Sequence, residues 1–474
     1  MAARHYSWTA FNTFGGVVIS FVGNVFIARQ LTPEDYGLMA MLAIFIAIAM
    51  NFTESGFSDY LISTPEVDKK DYSTVFFHNI FVGLLFYGLL VLFSEEIASF
   101  YQHKELVGIV QVAGLGIVLK SASLAEMAKM RKHLEFKKIA LVTLTANLLS
   151  IAAAYVLALE GYGYWALVFQ IVFQAGFILV LVIVINRWLP DFSFSLTRYK
   201  KMRGFGNNML ASYLSNQLAD NLYTVVIGKL YSAISLGFYA QAQKISMVAF
   251  RGLNSIVLTT SYSLVAKERD PLKRKEMYQR VLSQFLFVHF CFSFFVIGSA
   301  SSLIILVYGE KWSGSILFLQ LMILALLFQP LVTVNANIAK VENKTNVYRN
   351  LAFFRNGIIF FALLITYRFS IEIMLLGQIA AKYISAIVDV FVCGRYARFY
   401  TNEQLKVVIN NLIAPISAFS LAAWSVTALN ENWLQLISFS GVYLLVFLLV
   451  AIFLRNSTLY FYLNKLRRRF GNGL

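Results

Sequence analysis

The stretch GFYAQAQKISMVAFRGLNSIVLTTSYS, residues 237–263, is long and apolar enough to cross a bilayer, yet it carries two cations. Lys244 and Arg251 are two helical turns apart, so their side chains share one face of a helix. Gln241 and Ser255 extend this face by about one turn at each end. A charge near the bilayer centre costs roughly 2.5–3.5 kcal/mol on insertion scales. The stretch therefore predicts a membrane helix with one face on a polar interior that binds an anionic group.

The composition indicates a polytopic membrane protein. Hydrophobic residues make up 59% of the 474 residues and charged residues 14%, whereas a soluble domain carries about 25% charged residues. The net charge of +16 is typical of basic loops on the cytoplasmic side of a membrane, so we expect no nucleic-acid partner. Cys291 and Cys393 lie far apart inside apolar segments and predict buried hydrophobes rather than a disulfide.

The distribution of apolar segments predicts an all-α fold with about fourteen transmembrane helices. The first apolar run, 11–28, is expected to remain as a span because it is too long for a cleaved signal peptide. A polar, amphipathic connector, 187–203, separates the sixth span from the seventh. The predicted spans are 7–29, 35–62, 74–94, 106–129, 138–159, 162–186, 204–230, 234–264, 281–308, 313–339, 346–367, 371–397, 405–429 and 432–454.

Lysine and arginine residues alternate between rich and poor loops along these spans. With the N-terminus in the cytoplasm, the inside loops hold clusters such as 129–138 and 267–280, and the C-terminal tail holds 465–469. The outside loops hold only Arg29, Lys104, Lys229, Lys311 and Arg368. Because cytoplasmic loops are enriched in these residues, the pattern predicts an even number of spans with both termini inside.

An internal repeat links the two halves of the chain. The turn between spans one and two, 29–37, resembles the turn between spans seven and eight, 228–238, and segment 97–104 resembles 304–311. Six spans repeated in the same orientation predict two pseudo-symmetric lobes, with a substrate site at their interface near the midplane. We assign the lobes to residues 1–203 and 204–400. Residues 401–474 then form an additional helix pair and a basic cytoplasmic tail.

Five cations lie inside predicted spans and must face protein, water or a ligand. Two stripes of polar residues, one on span seven and one that includes Lys382, keep to a single helical face, as in the wall of a hydrated cavity. The cations are Lys120, Lys244, Arg251, Arg355 and Lys382. The stripes are Asn208, Ser212, Asn216 and Asp220 on span seven, and Gln378, Lys382, Ser385 and Asp389 on span twelve.

Each of these residues also has a purely structural interpretation. Lys244 and Arg251 could pair with Asp220, Lys382 could pair with Asp389, and Lys120 or Lys244 could reach the membrane surface along their flexible stems. Intramembrane acids are candidates to couple transport to a proton or sodium ion, or are counter-ions of a buried cation. The acids in question are Glu54, Asp220 and Asp389.

Motifs of enzymes are not found in the sequence. It contains no phosphate-binding glycine loop with lysine, no metal-ligand spacing of His and Cys, and no nucleophile elbow. The outside loops are too short for a catalytic domain. We therefore expect a protein that is not an enzyme and that needs no cofactor or metal, apart from a coupling proton or sodium ion.

Several loop motifs carry a family resemblance. The segments ARQLTPEDYGL (28–38), ESGF (54–57) followed by Leu61-Ile62, GYGYWALV (161–168) and GFY (237–239) with Gln243-Lys244 resemble those of the bacterial polysaccharide exporters, the Wzx-like flippases. This family belongs to the multidrug/oligosaccharidyl-lipid/polysaccharide exporter superfamily. The resemblance implies a flippase in the bacterial inner membrane that moves an undecaprenyl-pyrophosphate-linked oligosaccharide to the outer leaflet by alternating access.

The implied substrate agrees with the residues inside the spans. Arg251 and Lys244 would hold the pyrophosphate, with Lys382, Lys120 and Arg355 completing a basic lumen, because charge attraction is stronger where the dielectric is low. Membrane lipids and a polysaccharide polymerase are the other expected partners. Three alternatives remain: a drug/cation antiporter of the same superfamily, a lipid II flippase, and a membrane glycan polymerase or ligase.

Overall fold

The computed structural model describes residues 2–54, 56–187, 191, 193–427, 429–456 and 458–461. Within these ranges the side chains of 2–7, 10, 205–209, 211–213, 215–216, 218–220, 248–249, 251–264 and 345 are outside the description. The described backbone consists of helices joined by short turns, with no strand among those residues. The helices are α1 (Ala2–Gln30), α2 (Pro33–Glu54), α3 (Phe57–Ser63), α4 (Lys69–Leu92), α5 (Ser94–Tyr101), α6 (Leu106–Lys132), α7 (Phe136–Leu159), α8 (Trp165–Asn186), α9 (Leu196–Leu230), α10 (Ala233–Val265), α11 (Pro271–Tyr308), α12 (Ser315–Leu326), α13 (Gln329–Val341), α14 (Thr345–Thr366), α15 (Ile371–Cys393), α16 (Thr401–Ser425) and α17 (Asn432–Phe453), with a 3-10 turn at Glu310–Trp312.

Twelve helical segments within the described part of the chain are long and apolar enough to cross a membrane. Each follows a predicted span, and large apolar side chains such as Phe81, Val184 and Ile365 are exposed on their outer surfaces, as lipid contact requires. The predicted seventh and eighth spans form α9 and α10, which are 35 and 33 residues long. These two helices would bring the number of spans to fourteen, which stays a prediction. An all-α membrane fold is confirmed.

Two predicted spans are each built from two shorter helices. The second span breaks between α2 and α3, where Gly56 adopts a left-handed conformation with φ of 68°. The tenth span breaks before α13, in which Pro330 occupies the first turn, a position where the missing N–H of proline has no helical partner to lose. The last carbonyls of α12 are satisfied from other helices: Tyr383 Oη donates to Leu324 O at 2.9 Å, and His289 Nε2 to Leu326 O at 2.9 Å.

Polar residues mark where helices enter the bundle. Asp68 and Asp71 form a capping box at the start of α4: each carboxylate accepts a hydrogen bond from the backbone N–H of the other residue. The first turn of α9, which lies in the predicted connector 187–203, is tied to the same turn, since Arg198 forms ion pairs with both carboxylates. The second half of the predicted connector is therefore helical and continuous with α9.

The chain divides into two compact units, Met1–Ala240 and Gln241–Leu474. In the second unit, α17 packs on α11 and α16 through Phe439, Tyr443 and Phe447, whose rings stack along one face. Gly298 on α11 makes room for the Phe439 ring, since a Cβ there would lie 2.0 Å from a ring carbon. Tyr443 Oη donates to Cys291 O at 2.8 Å. The C-terminal helix pair thus packs within the second unit, and the predicted lobe boundaries stay a prediction.

Candidate functional site

Two of the predicted site residues form a buried ion pair. Arg355 on α14 places its Nη1 3.0 Å from Asp389 Oδ1 and 2.8 Å from Asp389 Oδ2 on α15. The Asp389 side chain is 1% exposed and that of Arg355 is 18% exposed. Removing one member of such a pair costs about 3–5 kcal/mol, because the remaining charge is left buried without compensation. The pair therefore joins α14 to α15, and Asp389 is the counter-ion of Arg355 in this structure.

The polar stripe on α15 changes character along the helix. Gln378 and Lys382 lie one turn apart and are both half-buried. Ser385 is buried, and its hydroxyl donates to Ala381 O at 2.7 Å within the same helix. The accessible part of the stripe is therefore its first turn, at Gln378 and Lys382, whereas the second half is closed by the ion pair at Asp389.

The opening stretch of sequence lies on α10. Gln241 is buried, while Lys244, less than one turn later, is exposed. Further along, the buried ring of Phe250 lies 4.6 Å from the His289 ring on α11, so this part of α10 packs on α11 within the second unit. Arg251 lies outside the described side chains, as do four members of the stripe on α9, although the backbone of both helices is described. These four residues are Asn208, Ser212, Asn216 and Asp220.

The predicted residues of the first unit lie in different surroundings. Lys120 is exposed on α6, and Glu54 is the half-buried last residue of α2, next to the break at Gly56. A buried acid of this unit was not predicted: Glu126 accepts hydrogen bonds from Lys129 Nζ at 3.4 Å and from Asn186 Nδ2 at 2.9 Å. Glu126 lies inside the predicted span 106–129, but its position three residues before Lys129 is typical of an acid near the membrane surface, so the sequence did not single it out.

The corresponding turns of the two repeats meet at one point, which we call the glycine crossing: Pro33 and Gly37 on α2, and Ala233 and Gly237 on α10. A Cβ on Gly37 would lie 1.8 Å from Ala233 O, and a Cβ on Gly237 would lie 1.7 Å from Pro33 O. Each first turn thus contacts the backbone of the other, and the contact is reciprocal. Only glycine permits this approach, because any side chain would occupy the same space as a carbonyl oxygen.

Buried residues surround the glycine crossing. Leu31 and Leu236, next to the two first turns, are 2% and 0% exposed. Nearby, Lys229 Nζ donates to the carbonyl of Phe100 and lies 4.7 Å from the centre of its ring. Gly228 lies against the Tyr101 ring, where a Cβ would be 3.0 Å from a ring carbon. Helices α2, α5, α9 and the first turn of α10 are therefore closed against one another at the end that the charge pattern places outside.

Metal binding receives no support from the described residues. No group of three or more His, Cys, Asp or Glu side chains within that part of the chain lies close enough together to hold a metal ion. The described candidate residues offer cations, amides, hydroxyls and carboxylates on helices that are long and apolar enough to cross a membrane.

The fold defines the class of protein. The chain superposes on a solved structure of the lipid II flippase MurJ in an inward closed conformation with a TM-score of 0.74, covering 94% of this chain and 98% of that chain at 14% identity. At this identity the likeness concerns the fold alone, which defines a multi-pass membrane protein built of α-helices.

The sequence comparisons identify the family. A family model described as polysaccharide biosynthesis protein matches residues 26–317. The chain is 24% identical to the teichuronic acid biosynthesis protein TuaB of Bacillus subtilis strain 168, over 90% of this chain and 89% of that protein. It is 24% identical to the lipopolysaccharide biosynthesis protein WzxC of Escherichia coli K12, over 66% of this chain and 65% of that protein. The chain belongs to this polysaccharide-biosynthesis family of exporters and flippases, which confirms the family predicted from the loop motifs.

Proposed function

We propose that the protein moves undecaprenyl-pyrophosphate-linked oligosaccharide units from the inner to the outer leaflet of the bacterial cytoplasmic membrane. The family supports a membrane transporter of polysaccharide synthesis. The single observation that carries the mechanism is the glycine crossing, where the repeats are sealed by backbone contact at one end. Alternating access requires one sealed end that later opens. We expect this contact to be intact in the state that accepts a cargo from the inner leaflet.

Cations on the helices would bind the pyrophosphate of this cargo. Lys244 and Lys382 are the first candidates, since one is exposed and the other half-buried on membrane helices, and Arg251 shares the helical face of Lys244. Lys120 supplies a further positive charge from the first unit. Gln241, Gln378 and the α9 stripe would provide amide and hydroxyl partners for the sugars.

The ion pair suggests how coupling would work. Because Arg355 is held by Asp389, the pyrophosphate and the carboxylate compete for the same guanidinium. A proton or sodium ion that neutralises Asp389 would release Arg355 toward the cargo. Asp220 and Glu54 remain the other candidates for the coupling ion. The proposal includes no enzymatic step and no cofactor.

The alternatives are less well supported. A drug/cation antiporter needs an acidic cavity, whereas the predicted intramembrane cations outnumber the acids. A lipid II flippase shares the fold, but the matching relatives bear the names of teichuronic acid and lipopolysaccharide biosynthesis proteins. A glycan polymerase or ligase would need a large catalytic loop. We place the protein in the inner membrane with both termini in the cytoplasm, close to the polymerase that consumes its product.

A complementation experiment tests the proposal. In a strain that lacks its own exporter of this family, Arg251→Gln and Lys382→Gln should each reduce surface polysaccharide and leave lipid-linked precursor on the inner leaflet, at unchanged protein level. The matched control is Lys406→Gln, which removes an exposed cation at the start of α16. Undiminished surface polysaccharide in both variants would refute the basic-lumen proposal. Drug efflux without any effect on surface polysaccharide would favour the antiporter.

A further inference from the structure

A second polar site lies away from the candidate substrate path, in a cavity that we call the C-terminal pocket. The cavity has a volume of about 720 Å³, within the range of about 300–1,000 Å³ that is typical of small-molecule sites. Its walls come from the first turns of α11, the first half of α16 and the segment that follows α17. All of these elements belong to the second unit.

The floor of the pocket is a continuous hydrogen-bond network. Asn411 Nδ2 donates to Ser283 Oγ at 3.1 Å, and the Ser283 and Thr458 hydroxyls are 3.0 Å apart. Asn456 Nδ2 donates to Asn411 Oδ1 at 3.2 Å, and Asn456 Oδ1 accepts from the backbone N–H of Thr458 at 3.0 Å. The network fixes the segment after α17 against α11 and α16, so the walls of the pocket are held in place without a ligand.

Two arginines line the pocket from different walls. Arg280 belongs to α11, and Arg455 follows α17 in a left-handed conformation with φ of 48°. Among the residues that the structure describes, neither guanidinium has an ion-pair or hydrogen-bond partner. Glu276, one helical turn before Arg280, is the one acid among the described residues that line the cavity. The lining therefore has an excess of positive charge.

The sequence of α11 places the pocket at the expected level of the lipid head groups. In α11 the charged segment 271–280 gives way to an apolar run directly after Arg280, so the boundary between membrane surface and hydrocarbon crosses the pocket. Ile413, Leu454 and Phe461 add an exposed apolar rim on which the first methylenes of an acyl chain could lie. The chain then continues from Phe461 toward the basic residues 465–469, which attract an anionic membrane surface.

We propose that the C-terminal pocket binds the phosphodiester head group of an anionic membrane phospholipid. Arginine suits this ligand because its planar guanidinium donates two hydrogen bonds to one phosphate. Basic pockets between membrane helices are a recurrent form of such sites. The bound lipid would brace α16 and α17 against α11 and is distinct from the transported cargo.

The test uses the purified full chain in detergent micelles, to which phosphatidylglycerol or phosphatidylcholine is added. Retained lipid is measured by native mass spectrometry and the midpoint of thermal unfolding is recorded. We expect phosphatidylglycerol to bind preferentially, and Arg280→Gln and Arg455→Gln each to weaken it about tenfold. The control is Arg349→Gln, which removes an exposed arginine outside the pocket and should leave binding unchanged.

Two further measurements separate the rival ligands. Glu276→Gln should strengthen phosphatidylglycerol binding; if it weakens binding and phosphatidylethanolamine is preferred, the pocket recognises an ammonium group and the proposal fails. Inorganic pyrophosphate should not displace phosphatidylglycerol from the wild-type protein at concentrations that leave lipid binding by the Arg349→Gln control unchanged. Displacement of the lipid by pyrophosphate that depends on Arg280 and Arg455 would overturn the assignment. Equal retention of phosphatidylglycerol and phosphatidylcholine would also overturn it.

Discussion

Replacing Gly237 by alanine should open the end of the protein that the glycine crossing seals. The new Cβ would lie 1.7 Å from Pro33 O, whereas ordinary contact begins at 3.4 Å. The first turns of α2 and α10 would therefore have to separate by about 1.7 Å along that line. The opposing atom is a backbone carbonyl in a helix, which cannot rotate away as a flexible side chain would.

The size of the effect follows from the cost of overpacking. Inserting one methyl group into a well-packed contact costs about 1–3 kcal/mol, and a cost of about 2 kcal/mol changes an equilibrium about 30-fold. If the crossing exists only in the outward-closed state, this cost falls on that state alone. Gly37→Ala should act in the same way. The double variant should cost less than the sum of the two, because one separation relieves both contacts.

Accessibility of a cysteine at the crossing reports this change. Cys291 and Cys393 are replaced by alanine, Leu31, which is 2% exposed, is replaced by cysteine, and a membrane-impermeant maleimide is added to spheroplasts. Gly237→Ala should increase the labelling rate by up to about 30-fold. The control is Gly441→Ala, since a Cβ there has nothing within 4 Å. An unchanged rate in both crossing variants, with normal polysaccharide export, would show that the seal is not part of the transport cycle.

Two more predictions follow from ion pairs. Asp389→Asn should destabilise the protein by about 3–5 kcal/mol, because Arg355 remains buried and charged. Replacing both residues by apolar ones of similar size should restore the midpoint of thermal unfolding. Equal midpoints for Asp389→Asn and the wild type would refute the ion pair. Burial acts to raise the pKa of Asp68, but the backbone N–H of Asp71 and the side chain of Arg198 lower that pKa overall. Asp68 therefore stabilises the fold above its unfolded pKa of about 3.9, and this contribution is lost as the pH falls through the lower folded pKa. Arg198→Gln should make stability less dependent on pH in this acidic range, and an identical pH profile would contradict the assignment.

Sequence predicted the membrane helices well because length and apolar composition are local properties. Every helix of the twelve described spans follows a predicted apolar segment. The apolar residues on both sides of ESGF at 54–57 predict one continuous span, and the break beside the left-handed backbone of Gly56 is seen only in the structure. The tenth span breaks next to Pro330 in the first turn of α13, whereas Pro415 lies inside a continuous α16.

The candidate site was predictable in its residue types and less so in its partners. Charges in apolar segments identify intramembrane residues one by one, but the spacing along one helix says nothing of a neighbouring helix. The stripe on α15 therefore offers Lys382 as a partner of Asp389, whereas the structure pairs Asp389 with Arg355 on α14. The hydrogen bond between Glu126 on α6 and Asn186 on α8 also joins two helices, so the spacing along either helix could not predict it.

The glycine crossing relates the internal repeat of the sequence to the movement that transport requires. Two copies of a segment related by a two-fold axis meet at equivalent residues wherever the segment touches that axis. At such a point the equivalent residues of the two copies face each other, and the side chains of both must fit. Glycine at positions 37 and 237 satisfies this condition in both copies at once. The stretch 237–263, which carries Lys244 and Arg251, begins at this contact. The two repeats would have to separate here, so opening the contact would also move the cations of α10.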